Sequence, residues 1–246
     1  MTAAHWTPAA FVAAGLSFLL FPLLRPWPDE SVATADLATA FASDRWVLAH
    51  LCGILGLALL VPALLGLRTI LAQAGSADDR AGAGAGPDAA AVPGAGARAE
   101  ARARAGRTAG VGAATWALIT AWVGAGCAAL YFGAEIFGIR TLAEAALREN
   151  DLGVLADVEV LRMQPGAVAL FGVGLFLLAV SGVLVAVALW RAGGRPRWAG
   201  VPLAVGLVLL LPQFFGGPGL RITHGFLVAA GCALVAVAAR SRTGRT

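Results

Sequence analysis

Long apolar runs separated by short polar segments organise this chain. Six runs approach the roughly 20 apolar residues that a helix needs to cross a bilayer. They cover 6–24, 46–71, 108–134, 165–190, 198–215 and 221–239. The pattern predicts an all-α, polytopic membrane helix bundle of about six transmembrane helices, forming a single integral membrane domain over residues 1–246. The run 198–215 is short and bounded by prolines. The first run has no preceding Arg and no small-x-small cleavage site, and it ends in Phe21-Pro22 and Arg25-Pro26-Trp27-Pro28. It therefore reads as a retained helix and not as a signal peptide.

The polar segments divide into two kinds. Segment 73–106 is rich in Ala, Gly, Pro and Arg with almost no large apolar residue, so it reads as a flexible cytoplasmic loop within the domain. Its alanines suit an inward extension of the third membrane helix over 97–107, and Arg98, Arg102 and Arg104 suit anionic lipid heads. The segments after the first and third membrane helices look structured. In 31–43, Leu37, Ala40 and Phe41 share a helical face. In 139–163, Arg140, Glu144 and Arg148 follow an i, i+4 spacing, Asn150-Asp151 offers an N-cap, and Leu155, Val158 and Leu161 continue an amphipathic turn. Short amphipathic helices capping the outer face are expected.

Within the third membrane helix, Ala113, Ala117, Ala121, Ala125, Ala129 and Gly133 recur every fourth residue. Such a stripe lets another backbone approach closely. It suits either a central position in the bundle or a homo-oligomer seam.

Charge sets the orientation. All 18 basic residues are Arg. Twelve lie in the loops after the second and fourth runs and in the C-terminal tail, while Arg25, Arg45, Arg140, Arg148, Arg162 and Arg221 lie on the other side. Ten of the 14 acids also lie on that other side. The positive-inside rule then places both termini in the cytoplasm of a plasma membrane protein, with the acidic loops outward. Tryptophans 6, 27, 46, 190 and 198 fall at helix ends, as an interfacial belt requires. The absence of Lys beside abundant Ala, Gly and Arg matches the coding bias of a high-GC bacterial genome.

Composition excludes several functions. Hydrophobic residues make up 59% of the chain and charged residues 13%, which makes the lipid bilayer its solvent. Without Lys there is no Schiff-base cofactor and no Walker A phosphate loop. The arginines do not form one basic face, so nucleic acid is not an expected partner. Cys52, Cys127 and Cys232 are far apart in apolar runs and read as core residues.

The remaining chemistry is sparse. His50, Glu135 and His224 lie at similar depth on three helices, near the predicted outer boundary. Tyr131 shares the face of Glu135, and Gln164 and Gln213 fall at the same level. Ionisable groups within lipid are costly and point by default to function. The six residues are therefore candidates for one outward-facing pocket that binds or transports a small molecule or ion. A second reading is a membrane-embedded metal- or haem-dependent enzyme or redox subunit, with His50, Glu135 and His224 as ligands. A third is an accessory subunit with no site, in which the histidines bond loop carbonyls or Asp44 and Glu135 pairs with Arg140 or Arg221. There is no Ser-His-Asp order, HExxH or HxxxH pair to define a reaction.

Overall fold

The computed structural model describes residues 3–83, 95–194 and 196–243, and among them there are helices and turns but no strands. Five helices are long and apolar enough to cross a membrane: α1 (Ala3–Leu24), α3 (Asp44–Ala83), α4 (Ala95–Glu149), α6 (Pro165–Arg191) and α8 (Pro218–Thr243). These apolar helices fit a membrane location. Three shorter helices, α2 (Ala35–Ala42), α5 (Asp157–Arg162) and α7 (Val201–Val208), lie between them.

The sixth predicted stretch, 198–215, does not form one long helix. It divides into the eight-residue α7 and a 3-10 turn at Pro212–Phe215. The Val208 carbonyl would need an N–H at position 212, and Pro212 has none to give. Segment 73–106 also differs from a loop at both ends. Helix α3 continues through Ala83 and α4 begins at Ala95, so only 84–94 of it lies outside the described residues.

Close packing at glycines fixes the helix directions. Gly53 and Gly56 of α3 face Phe21 and Phe18, so α3 runs antiparallel to α1. Helix α8 is antiparallel to α1 as well, with Gly15 beside Cys232 and Gly225 beside Pro22. Helices α3 and α4 are joined near one end by Arg68 Nε donating to Thr115 Oγ1 at 2.8 Å, and near the other by Arg140 with Asp44. Helices α4 and α6 run antiparallel, with Gly124 against Gly174 and Gly110 against Ala188. Ser181 Oγ crosses this seam to the Ala117 carbonyl at 2.8 Å. Of the small-residue stripe, Ala113, Ala117, Ala121 and Ala125 are buried in the molecule's own core, while Ala129 and Gly133 are half-buried.

Helices α6 and α8 therefore run parallel although they are consecutive long helices. Helix α7 lies antiparallel to both. Gly200 meets Ala186 and Gly182 meets Leu207 on one side, while Gly231 meets Leu203 and Gly206 meets Val228 on the other. The chain returns along the bundle through 192–217. The start of α1 and the end of α8 consequently share one end of the bundle.

The opposite end is capped. Helix α4 is 55 residues long, which at ~1.5 Å per residue is about 80 Å, far more than a bilayer core requires. Its extension past Ile139 carries a second hydrophobic cluster, in which Leu37 and Phe41 of α2, Trp46, Ile139, Ala143, Leu155 and Val158 are buried together. Helix α2 starts at Thr34, whose Oγ1 accepts from the Leu37 N–H at 3.1 Å. Asn150 closes α4 with φ 55°. Asp151 then caps a 3-10 turn, Leu152–Ala156, by accepting from the Gly153 N–H at 2.9 Å.

Candidate functional site

Beneath the cap, four charges of alternating sign join three parts of the chain. Arg25 follows the last turn of α1, its N–H bonded to the Phe21 carbonyl. Its Nη2 meets Glu30 Oε1 at 2.5 Å. The other Glu30 oxygen accepts from Arg162 Nη1 at 2.8 Å, and Arg162 Nε donates to Glu135 Oε1 at 2.9 Å. The chain Arg25–Glu30–Arg162–Glu135 thus ties the α1–α2 loop to α5 and α4. Aromatic rings back the guanidinium groups. Arg25 stacks over Trp27 and Trp46, at 4.5 and 5.1 Å, and Arg162 lies 5.7 Å from Phe41.

Electrostatics match this geometry. Burial disfavours the Glu30 carboxylate, but Arg25 and Arg162 outweigh it and hold its pKa below the usual 4.5. Burial likewise opposes the charge of Arg162, and Glu135 and Glu30 overcome it to push the pKa up. Both groups lie outside the long helices, and the ion pairs keep them charged.

The charged chain borders a cavity of about 420 Å³. His50, Tyr131 and Glu135 line it together with Arg25, Arg162 and Arg221. Its apolar wall is a run of aromatic rings, with Tyr131 stacked on Phe171 at 4.2 Å and Phe171 edge-on to both Phe132 and Phe214. A smaller apolar pocket of about 40 Å³ adjoins it and shares Phe21, Phe132, Phe214 and Arg221. Two of the six sequence candidates, His224 and Gln213, line this second pocket. Gln164 is exposed and lines a shallow pocket elsewhere, beside Phe137 and Leu161.

The histidines are held by backbone. His50 Nδ1 lies 2.7 Å from the Trp46 carbonyl, one turn back on α3. His224 Nε2 lies 2.8 Å from the Gly206 carbonyl of α7. The expected alternative partners differ too: Glu135 pairs with Arg162, whereas Arg140 takes Asp44 and Glu144. Among the described residues no group of three or more His, Cys, Asp or Glu is placed to hold a metal ion.

Three residues of the site, Arg25, Glu30 and Arg162, carry no site role in the sequence pattern, and Arg221 enters it only as a possible partner of Glu135; the arginines read as loop charges that set orientation. Their signal was the side on which they lie, since an arginine on the acid-rich side departs from the positive-inside pattern and calls for a specific partner.

Arg221 differs from the other two arginines. Its Nη2 and Nε donate to the Phe214 and Gly216 carbonyls at 2.7 and 3.2 Å, and Trp27 and Phe214 flank it at 5.3 Å. Among the described residues no carboxylate lies within ion-pair distance of it. The cavity is also lined by Glu159, so three arginines face three glutamates and the wall has no net charge, but Arg221 itself is the one lining arginine without a direct ion pair among the described residues. Comparison with family models, with curated proteins and with solved structures returns no match.

Proposed function

We propose that this chain is a six-pass plasma membrane protein that binds an anionic amphiphile in a pocket on its outer side. One observation carries the reading: Arg221, half-buried where a polar cavity meets an apolar pocket, has only carbonyls for partners. A cation removed from water without a counter-ion is costly, and a bound anion offsets that cost. The aromatic wall offers the apolar part of the ligand a place beside its charge. A volume near 420 Å³ falls in the range of small-molecule sites. The outward orientation rests on the arginine-rich segments, which gather at the end opposite the cap.

The test is lipid binding by native mass spectrometry of the detergent-purified protein. An anionic phospholipid should bind more tightly than phosphatidylcholine with the same acyl chains. Arg221→Gln should weaken the anionic lipid about tenfold or more, the scale of a lost charge-assisted contact, and leave phosphatidylcholine unchanged. Equal binding of the two lipids by the wild-type protein, or an unchanged Arg221→Gln variant, would overturn the reading.

A further inference from the structure

The charge of Arg221 says nothing about what else the head of the ligand carries; His50 does. A carbonyl oxygen only accepts, so the 2.7 Å contact with Trp46 requires His50 Nδ1 to hold a proton. A buried imidazolium would need a counter-ion. No carboxylate among the described residues pairs with His50, although the residue is only 2% exposed. The ring is therefore the neutral Nδ1–H tautomer, and Nε2 carries a lone pair. That atom has no partner among the described residues. It is also not sealed: of the fully buried side-chain nitrogens and oxygens, the unpartnered one is Trp46 Nε1. The cavity that His50 lines is the space that this lone pair can meet.

An unsatisfied acceptor fixed on a cavity that three guanidinium groups also line selects for a hydrogen-bond donor on the ligand. The three guanidinium groups that line the cavity already have partners. Arg25 and Arg162 are bound to Glu30 and Glu135, and Arg221 to two carbonyls. The Tyr131 hydroxyl, on the same cavity, has no partner among the described residues and can donate to an anionic oxygen. Resting on the anionic-amphiphile reading above, we infer that the head group carries a hydroxyl beside its anionic group, as a hydroxylated phosphodiester does. Its negative charge sits by Arg221 and the head-group hydroxyl donates to His50 Nε2. Phosphatidylglycerol has this chemistry in a lipid, and glycerophosphoglycerol has it free in solution.

Three lipids with identical acyl chains separate the terms by native mass spectrometry: phosphatidylglycerol, phosphatidylmethanol and phosphatidylcholine. The first two carry the same charge, but only phosphatidylglycerol has head-group hydroxyls. The wild-type protein should prefer phosphatidylglycerol to phosphatidylmethanol about fivefold, the scale of one hydrogen bond. His50→Asn can keep the bond to the Trp46 carbonyl but lacks an acceptor at the Nε2 position, so the two anionic lipids should become equal. His50→Gln can place its amide oxygen near that position and should keep the preference. Equal binding of the two anionic lipids by the wild-type protein overturns the His50 inference while leaving the anionic reading intact. Loss of any advantage over phosphatidylcholine overturns both. Retention of the preference in His50→Asn also overturns the inference. The source is settled by competition. Displacement of phosphatidylglycerol by equimolar glycerophosphoglycerol assigns the free head group, and persistence of the lipid assigns the membrane.

Discussion

Glu30 is the hinge of the charged chain, because one carboxylate serves two guanidinium groups, at 2.5 and 2.8 Å. Removing it leaves Arg25, which is 5% exposed, without an anion. An uncompensated buried charge is among the more damaging single defects, and Glu30→Gln should cost about 2 kcal/mol after allowance for its partial exposure. The pH dependence follows from the direction of the Glu30 shift. Its folded pKa lies below the unfolded value of 4.5, so its contribution is complete above that value and is lost as pH falls through the folded pKa. Thermal unfolding in detergent should therefore separate wild type from Glu30→Gln at pH 7, and the gap should narrow as the pH falls below 4.5. A gap that stayed constant down to pH 3 would show that the carboxylate does not act through its charge. Glu135 has a simpler position, bonded to Arg162 alone, and Arg162 keeps Glu30 when Glu135 is changed. Glu135→Gln, which preserves an oxygen for Arg162 Nε, should accordingly cost less than Glu30→Gln in the same assay.

At the scale of elements, the seam between α4 and α6 is made by glycines. A Cβ on Gly174 would stand 2.9 Å from the Ala128 nitrogen and 3.0 Å from the Gly124 carbonyl oxygen, both backbone atoms. Gly174→Val should force the helices apart and cost about 2–3 kcal/mol. Gly172, two residues earlier, faces open space, and Gly172→Ala should stay within about 0.5 kcal/mol of wild type. Equal melting temperatures for the two variants would show that the seam is looser than these distances imply. The same helices show what the sequence disclosed. Apolar runs identified α1, α3, α4, α6 and α8 because length and hydropathy suffice for a long membrane helix. The cap was legible from the i, i+4 charges of Arg140 and Glu144 and from Asp151 as a capping residue. The break between α7 and its 3-10 turn was not, because apolarity persists through Pro212 while the hydrogen-bond ladder does not. The candidate site was legible in depth only. Depth brought His50, Tyr131, Glu135, His224 and Gln213 to one level, but the cavity each side chain enters depends on helix rotation and on neighbours distant in sequence. The pairing of Arg162 with Glu30, 132 positions apart, carries no local signal at all.

For the whole molecule, the directions of the helices bear on the number of crossings. Five long helices alone would leave the termini on opposite sides of a membrane. Within the bundle, however, the start of α1 and the end of α8 share one end, because α6 and α8 are parallel and the 192–217 segment between them returns along the bundle. It does so packed on both neighbours, with Leu203, Ala204 and Leu207 buried, while Val201, Val205 and Val208 face outward as a lipid-facing surface would. Its backbone stays bonded where α7 ends, through Leu209 N–H to the Val205 carbonyl and Gln213 N–H to the Leu209 carbonyl. A spanning segment must satisfy its own backbone in this way, and irregular turns are tolerated where the protein covers them. Reporter fusions should therefore read the cytoplasm after Gly194 and after Thr246, and the exterior after Asn150 and after Gly217. The decisive pair is Gly194 and Gly217, which flank the broken helix. If both report the same side, the segment does not cross and the membrane bundle has five passes. The pocket beside Arg221 would then have to be assigned to a side without the arginine rule, since the C-terminal arginines would lie opposite those at the start of α4.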